Sequence, residues 1–249
     1  MRVMSLLYGV VCYLIFFATF LFAIGFIGNF ATPTRLDGEG SLSLSAVSVN
    51  VLLLSIFALQ HSVMARPAFK RAWTRYVPVP VERSTYVLFS SVALIALFAF
   101  WQPIGISIWH VTDPVGSIVL YTGFAFGWLL VLFSTLLINH FDLFGLRQVW
   151  LYFRKKPYRE VPFVTPGPYK LVRHPLYLGW LFAFWCTPTM TVAHLLFAAT
   201  TTAYILIAIR LEERDLKNAL GQDYRDYCDQ VPMIIPSLAK RAEPSPERQ

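Results

Sequence analysis

Uncharged residues run through this chain in long unbroken blocks rather than in alternation. Windows free of Asp, Glu, Lys and Arg cover 3–34, 40–65, 84–112, 114–141 and 174–209. Each exceeds the ~20 residues that carry a helix across a ~30 Å hydrocarbon layer. Backbone polar groups in lipid must be satisfied within the segment or in a closed barrel, and hydrophobicity that is continuous rather than of period two selects the helix. The pattern predicts an all-α, polytopic membrane helix bundle. The first window, with "LLYGVVCYLIFFATFLFAIGFIGNF", is too long for a secretory signal and has no small-residue cleavage pattern, so it reads as a span that stays.

The last window differs from the other four. As one helix its residues would extend roughly 54 Å at 1.5 Å each. One crossing would also carry the seven Lys and Arg from Arg210 onward to the far side, against the rule that keeps such residues cytoplasmic. Thr187-Pro188-Thr189 supplies a break, because proline lacks a donor and clashes with the preceding turn. The window therefore predicts a hairpin that enters near Pro175, turns at Pro188 and returns by Arg210. Its incoming arm is short, a tilted or partial crossing. Four spanning helices, this C-terminal hairpin and a cytoplasmic helix make up the expected fold.

Composition agrees. Of 249 residues 56% are hydrophobic and 14% charged, well under the ~25% charged of soluble domains. A net charge of +7 would suggest a nucleic-acid partner in a soluble chain, but here the basic residues are segregated. They gather in 66–83, in 142–173 and from 210 onward, whereas 29–40 has only Arg35 with Asp37 and Glu39, and 102–115 has Asp113 with no Lys or Arg. That asymmetry is a topology signal. It excludes no nucleic-acid chemistry by itself but leaves none to explain, and it predicts both termini in the cytoplasm. One domain is expected over 1–236, with a disordered Pro/Glu/Arg-rich tail at 237–249. Cys12, Cys186 and Cys228 form no C-x-x-C and no even framework, so neither disulfides nor a cysteine metal site is indicated. No His pair has the i, i+4 spacing of a zinc helix, and His110 and His194 fall on the opposite side as structural residues. No repeated halves of the transporter kind appear.

The chemistry collects at the two ends of the hairpin, "TPGPYKLVRHPLY" and "IRLEERDL". Singly, such charges are explained by snorkelling to headgroups. Taken together, RHP-x-Y and a downstream Glu-Glu read as a site. The order "GPYKLVRHPLYLGW", hairpin, "RLEERDLKNALGQDYRDYCDQVPMIIP" resembles the integral-membrane S-adenosylmethionine-dependent methyltransferases related to isoprenylcysteine carboxyl methyltransferase. Within that superfamily the bacterial methanethiol S-methyltransferases are similar over nearly the whole length, through "LQHSVMARPAFK", "ERSTYVL" and "NHFDLFGLRQVWL".

The resemblance implies S-adenosyl-L-methionine as methyl donor and methylation of methanethiol to dimethyl sulfide at the cytoplasmic boundary. It implies cofactor contacts from Tyr169, His174, Pro175, Leu176, Tyr177 and one of Glu212 or Glu213, with Glu213 favoured, and it puts Arg210 near the acceptor. Since a thiolate is a far better nucleophile than a thiol, Arg210 or Arg173 would favour the ionised sulfur; either His61, His140 or His174 takes its proton, or the sulfonium is electrophile enough that positioning alone suffices without a dedicated base. The long connection after the fourth span is too long for a bare loop. It predicts a lid or reentrant element in which Phe141, Asp142, Leu143, Phe144 and Arg147 help build the acceptor chamber. Two other readings stand beside this one: a methyltransferase for an isoprenylcysteine or lipid-like substrate, and a non-enzymatic membrane accessory protein of nitrogen-oxide metabolism. Binding of S-adenosylmethionine separates the last from the others.

Overall fold

The computed structural model describes residues 1–236; the tail expected at 237–249 lies outside the described residues. Five helices are long and apolar enough to cross a membrane: α1 (Arg2–Gly28), α2 (Leu44–Ala65), α4 (Val79–Phe100), α5 (Pro114–Ile138) and α9 (Val192–Leu220). Shorter helices lie between and after them: α3 (Pro67–Trp73), α6 (His140–Leu143), α7 (Leu146–Phe153), α8 (Pro175–Trp185) and α10 (Gln222–Gln230). The chain is thus a multi-pass helical membrane protein whose last two hydrophobic helices form the expected hairpin.

Local chemistry fixes the helix ends. Ser43, Asp113 and Thr191 each accept a hydrogen bond from a backbone N–H of the first turn they precede, satisfying donors that have no intrahelical partner. Proline opens α3, α4, α5 and α8, where its missing N–H costs nothing. Asn29 and Asn139 close α1 and α5 in the left-handed conformation, which Asn tolerates better than other side chains.

The hairpin differs from the expectation in its details. The incoming arm α8 has 11 residues, and the turn is not a bare loop. Thr189–Thr191 forms a short strand, β2, paired antiparallel with β1 (Ser107–His110) from the connection between α4 and α5. No period-two run announced these strands.

α8 lies tightly along α5. A Cβ added to Gly127 would come within 2.6 Å of Ala183 N and Gly179 O, and one on Gly179 within 2.7 Å of Gly127 O. Small residues let two backbones approach where lipid offers no hydrophobic drive for helix association. Helix α7 is docked in the same way, with Val149 Cγ2 occupying the space a Cβ on Gly9 of α1 would need.

On the face away from the basic loops a buried polar cluster ties the hairpin turn to the first connection. Asp37 Oδ1 accepts from Thr191 N and Thr191 Oγ1 at 3.0 and 2.6 Å, and its Oδ2 accepts from Asn29 Nδ2 at 2.6 Å and His194 Nδ1 at 2.7 Å. Burial alone would raise the Asp37 carboxyl, but the hydrogen bond and charge of His194, with the two hydrogen bonds from Thr191, hold it below its usual range. His194 is fully buried and gives its other nitrogen to Phe184 O at 3.0 Å. His110 bonds Thr189 Oγ1 at 3.0 Å. Both histidines thus lie at this face, where the sequence puts them.

Candidate functional site

At the basic face the two ends of the hairpin meet. Arg173 Nε donates to Glu213 Oε1 at 2.8 Å, and His174 Nε2 lies 3.1 Å from the same oxygen. All three side chains are nearly enclosed, at 11%, 6% and 12% exposure. Glu213 is the carboxylate engaged by the RHP segment. Glu212, one residue earlier and turned ~100° around the helix, accepts from Tyr177 Oη at 2.9 Å. Both carboxylates between which the spacing left the choice open therefore touch the RHP-x-Y segment.

The chain after α9 closes over this pair. Gly221, at φ 64°, turns α10 back, and the uncharged segment "VPMIIP" then pairs with the hairpin entry. Arg173 N donates to Pro232 O at 2.8 Å and His174 N to Met233 O at 3.1 Å. The Arg173 guanidinium also donates to Cys228 O and Val231 O. Tyr227 Oη donates to Tyr169 O at 2.6 Å, and Phe163, Tyr224 and Tyr227 pack edge to face. Burial, then the charge of Glu212, pushes the Tyr169 phenol up, so Tyr169, Tyr177 and Glu212 share one neighbourhood. The fold thereby gathers Tyr169, His174, Pro175, Tyr177, Glu212 and Glu213, with Leu176 half-buried between its neighbours.

A second group of polar side chains faces inward from α2, α4 and α9. His61 Nδ1 lies 3.2 Å from Ser90 Oγ, and Tyr86 Oη lies 3.0 Å from both His61 Nδ1 and Nε2. Ser90 spends its own hydrogen on Tyr86 O at 3.0 Å. Ser90 thus has no hydrogen left to give the imidazole, and the Tyr86 hydroxyl sits equidistant from its two nitrogens. Phe57 stacks on the imidazole, and Tyr204 packs edge-on to Phe57 while sharing a 3.0 Å hydrogen bond with Ser62. Tyr86, Ser90 and Tyr204 escaped the sequence reading. The available signal was that hydroxyl-bearing residues inside apolar windows are costly and seek partners.

His140 stands apart. Thr135 Oγ1 donates to Leu132 O and so accepts from His140 Nδ1 at 2.9 Å, while Tyr13 Oη lies 2.9 Å from Nε2. Both nitrogens are satisfied, and burial lowers its pKa. Asp142 and Arg147 pair with each other at 2.7 Å and hold Tyr158 and Arg159 O. Leu143 O accepts from Arg83 Nε at 2.9 Å, and Phe141 is 54% exposed. Of this group, Phe144 reaches inward: it stacks on Phe16 at 3.8 Å and packs against the cluster of Met64, Tyr86 and Val87. Arg210 projects from α9 on the far side from Glu212, where with Glu213, Arg214, Lys217, Asn218 and Arg225 it lines an open cavity of about 420 Å³.

Comparison with known proteins adds names to this geometry. Residues 45–231 match a family model described as a protein of unknown function, DUF1295. A methanethiol S-methyltransferase of Crocosphaera subtropica is 57% identical over 97% of this chain and 95% of its own length. One of Mycobacterium tuberculosis is 51% identical over 94% of this chain and 97% of its own. A third, from Bradyrhizobium diazoefficiens, is 50% identical over 94% and 83% respectively. No solved structure matches the chain.

Proposed function

The chain belongs to the family of the methanethiol S-methyltransferases, and from that premise we propose that it methylates methanethiol, giving dimethyl sulfide, with S-adenosyl-L-methionine as donor. The observation that carries this reading is the convergence of the two hairpin ends, Arg173-His174 and Glu212-Glu213, into one enclosed cluster. S-adenosylmethionine presents an ammonium, a carboxylate, ribose hydroxyls and a flat adenine, so its holder needs both charge signs and aromatic walls. Tyr169, His174, Pro175, Leu176, Tyr177, Glu212 and Glu213 provide that chemistry together. When bound, the cofactor supplies a methyl group on a positively charged sulfur, a strong electrophile.

The protein's part is to hold, exclude and deprotonate. Glu212 presents negative charge to a cationic ligand, while Arg173 fixes Glu213 and ties down the segment after α10, a positioning role. His61 is held with both ring nitrogens 3.0 Å from Tyr86 Oη. A thiol proton passed to the Tyr86 oxygen, as the Tyr86 proton moves to a His61 ring nitrogen, leaves a thiolate, a neutral tyrosine and an imidazolium. Phe57, Phe144 and Tyr204 wall this group with apolar surface suited to a small volatile thiol. Asp142 and Arg147 brace the chamber from the connecting segment, with Phe141 and Leu143 beside them. His140 supports it through Tyr13, and Arg210 faces the cavity behind Glu213. The protein lies in the bacterial inner membrane with both termini in the cytoplasm.

Headspace gas chromatography of cells supplied with methanethiol tests the reaction. Expression of the chain should raise dimethyl sulfide, and folded protein that binds S-adenosylhomocysteine yet yields none would move the acceptor to a larger lipid-like thiol.

A further inference from the structure

We infer that the cavity between α9 and α10 holds the phosphodiester of an anionic phospholipid. Arg210, Arg214, Lys217, Asn218 and Arg225 line it together with Glu213, in a volume of about 420 Å³. Among the described residues no carboxylate pairs with Arg210, Arg214 or Arg225. The single carboxylate in the wall is already committed, since Glu213 Oε1 takes Arg173 and His174 and Oε2 lies 3.8 Å from Lys217. The lining is therefore strongly cationic, with Glu213 as its one carboxylate and the guanidinium groups of Arg210, Arg214 and Arg225 left without an ion-pair partner among the described residues.

Position argues for a lipid rather than a soluble anion. On α9, Leu206, Ile207, Arg210, Arg214 and Lys217 follow one another at helical spacing, so a single stripe changes from apolar to cationic along the helix. Leu206 and Ile207 are 39% and 55% exposed, an apolar bed for acyl chains directly below the guanidinium groups. The Gly221 turn brings Arg225 of α10 over the same point, so that cations from two helices face one site. Arginine suits this role because its planar fork meets two phosphate oxygens at once.

The test measures lipid retention on the full-length chain purified in detergent and equilibrated with mixed micelles of phosphatidylglycerol and phosphatidylcholine, read by mass spectrometry. The native chain should retain phosphatidylglycerol in preference. The double substitution Arg214→Gln with Arg225→Gln should weaken that retention by at least about tenfold, given the attraction each cation has for an anionic headgroup, while affinity for S-adenosylhomocysteine stays unchanged. Arg214→Lys with Arg225→Lys, which keeps the charge, should recover part of the preference. Equal retention of the two lipids by the native chain overturns the inference and needs no variant to fold. Displacement by millimolar inorganic phosphate assigns the cavity to a soluble anion, and loss of S-adenosylhomocysteine affinity in the Gln variant assigns it to the donor; either result overturns the lipid reading.

Discussion

Glu213 receives a guanidinium and an imidazole on one oxygen, and removing it leaves Arg173 enclosed without its charge partner. Breaking such a pair from one side costs about 3–5 kcal/mol, so Glu213→Ala should lower the melting temperature in detergent and abolish S-adenosylhomocysteine binding in calorimetry. Tyr177→Phe removes only the bond to Glu212 and should weaken binding by about tenfold, the scale of one hydrogen bond to a charged group, with little loss of stability. For His61 and Tyr86 the readout is turnover. His61→Gln and Tyr86→Phe should each lower kcat by about a hundredfold, as for loss of a general base, and the loss should shrink as rising pH ionises the thiol without help. An unchanged pH profile would remove the proton relay.

The site depends on how α8 is placed, and α8 is placed by glycine. With Gly127 and Gly179 backbones in contact, Gly179→Val forces α5 and α8 apart. Overpacking costs about 1–3 kcal/mol, and the displaced helix carries His174 and Tyr177 with it. Both thermal stability and donor affinity should fall, whereas Gly221→Ala, strained at positive φ but with open space around it, should chiefly loosen α10. The sequence made the element pattern legible because long charge-free windows admit only helices in lipid. It also located the break, since Pro188 cannot continue a helix. It could not reveal β1 and β2, because strands of 4 and 3 residues are too short to show a period, and their pairing joins positions about eighty residues apart.

Across the whole molecule, the proposed topology, with the basic face in the cytoplasm, can be checked chemically. Cys228 lies beside the site at the basic face, so a membrane-impermeant thiol reagent added to intact cells should leave it unmodified and label it after lysis. Burial lowers the pKa of His140 from its ordinary 6.5. The unfolded chain therefore binds this proton more readily, and the His140 contribution to stability is complete above 6.5 and declines as pH falls toward the folded-state value. Thermal unfolding in detergent should show that decline, and His140→Gln should flatten it.

Hydropathy and charge along the chain determined the helices, the hairpin and the polar clusters at its ends, because lipid solvation acts on each segment separately. Tertiary packing alone decided that Glu212 and Glu213 both face RHP-x-Y, that Tyr86 orients His61, that His140 is saturated by its neighbours, and that Arg210 turns outward. Those outcomes depend on which faces of different helices meet, and the apolar windows are hydrophobic nearly all round, so no amphipathic stripe recorded the choice in advance.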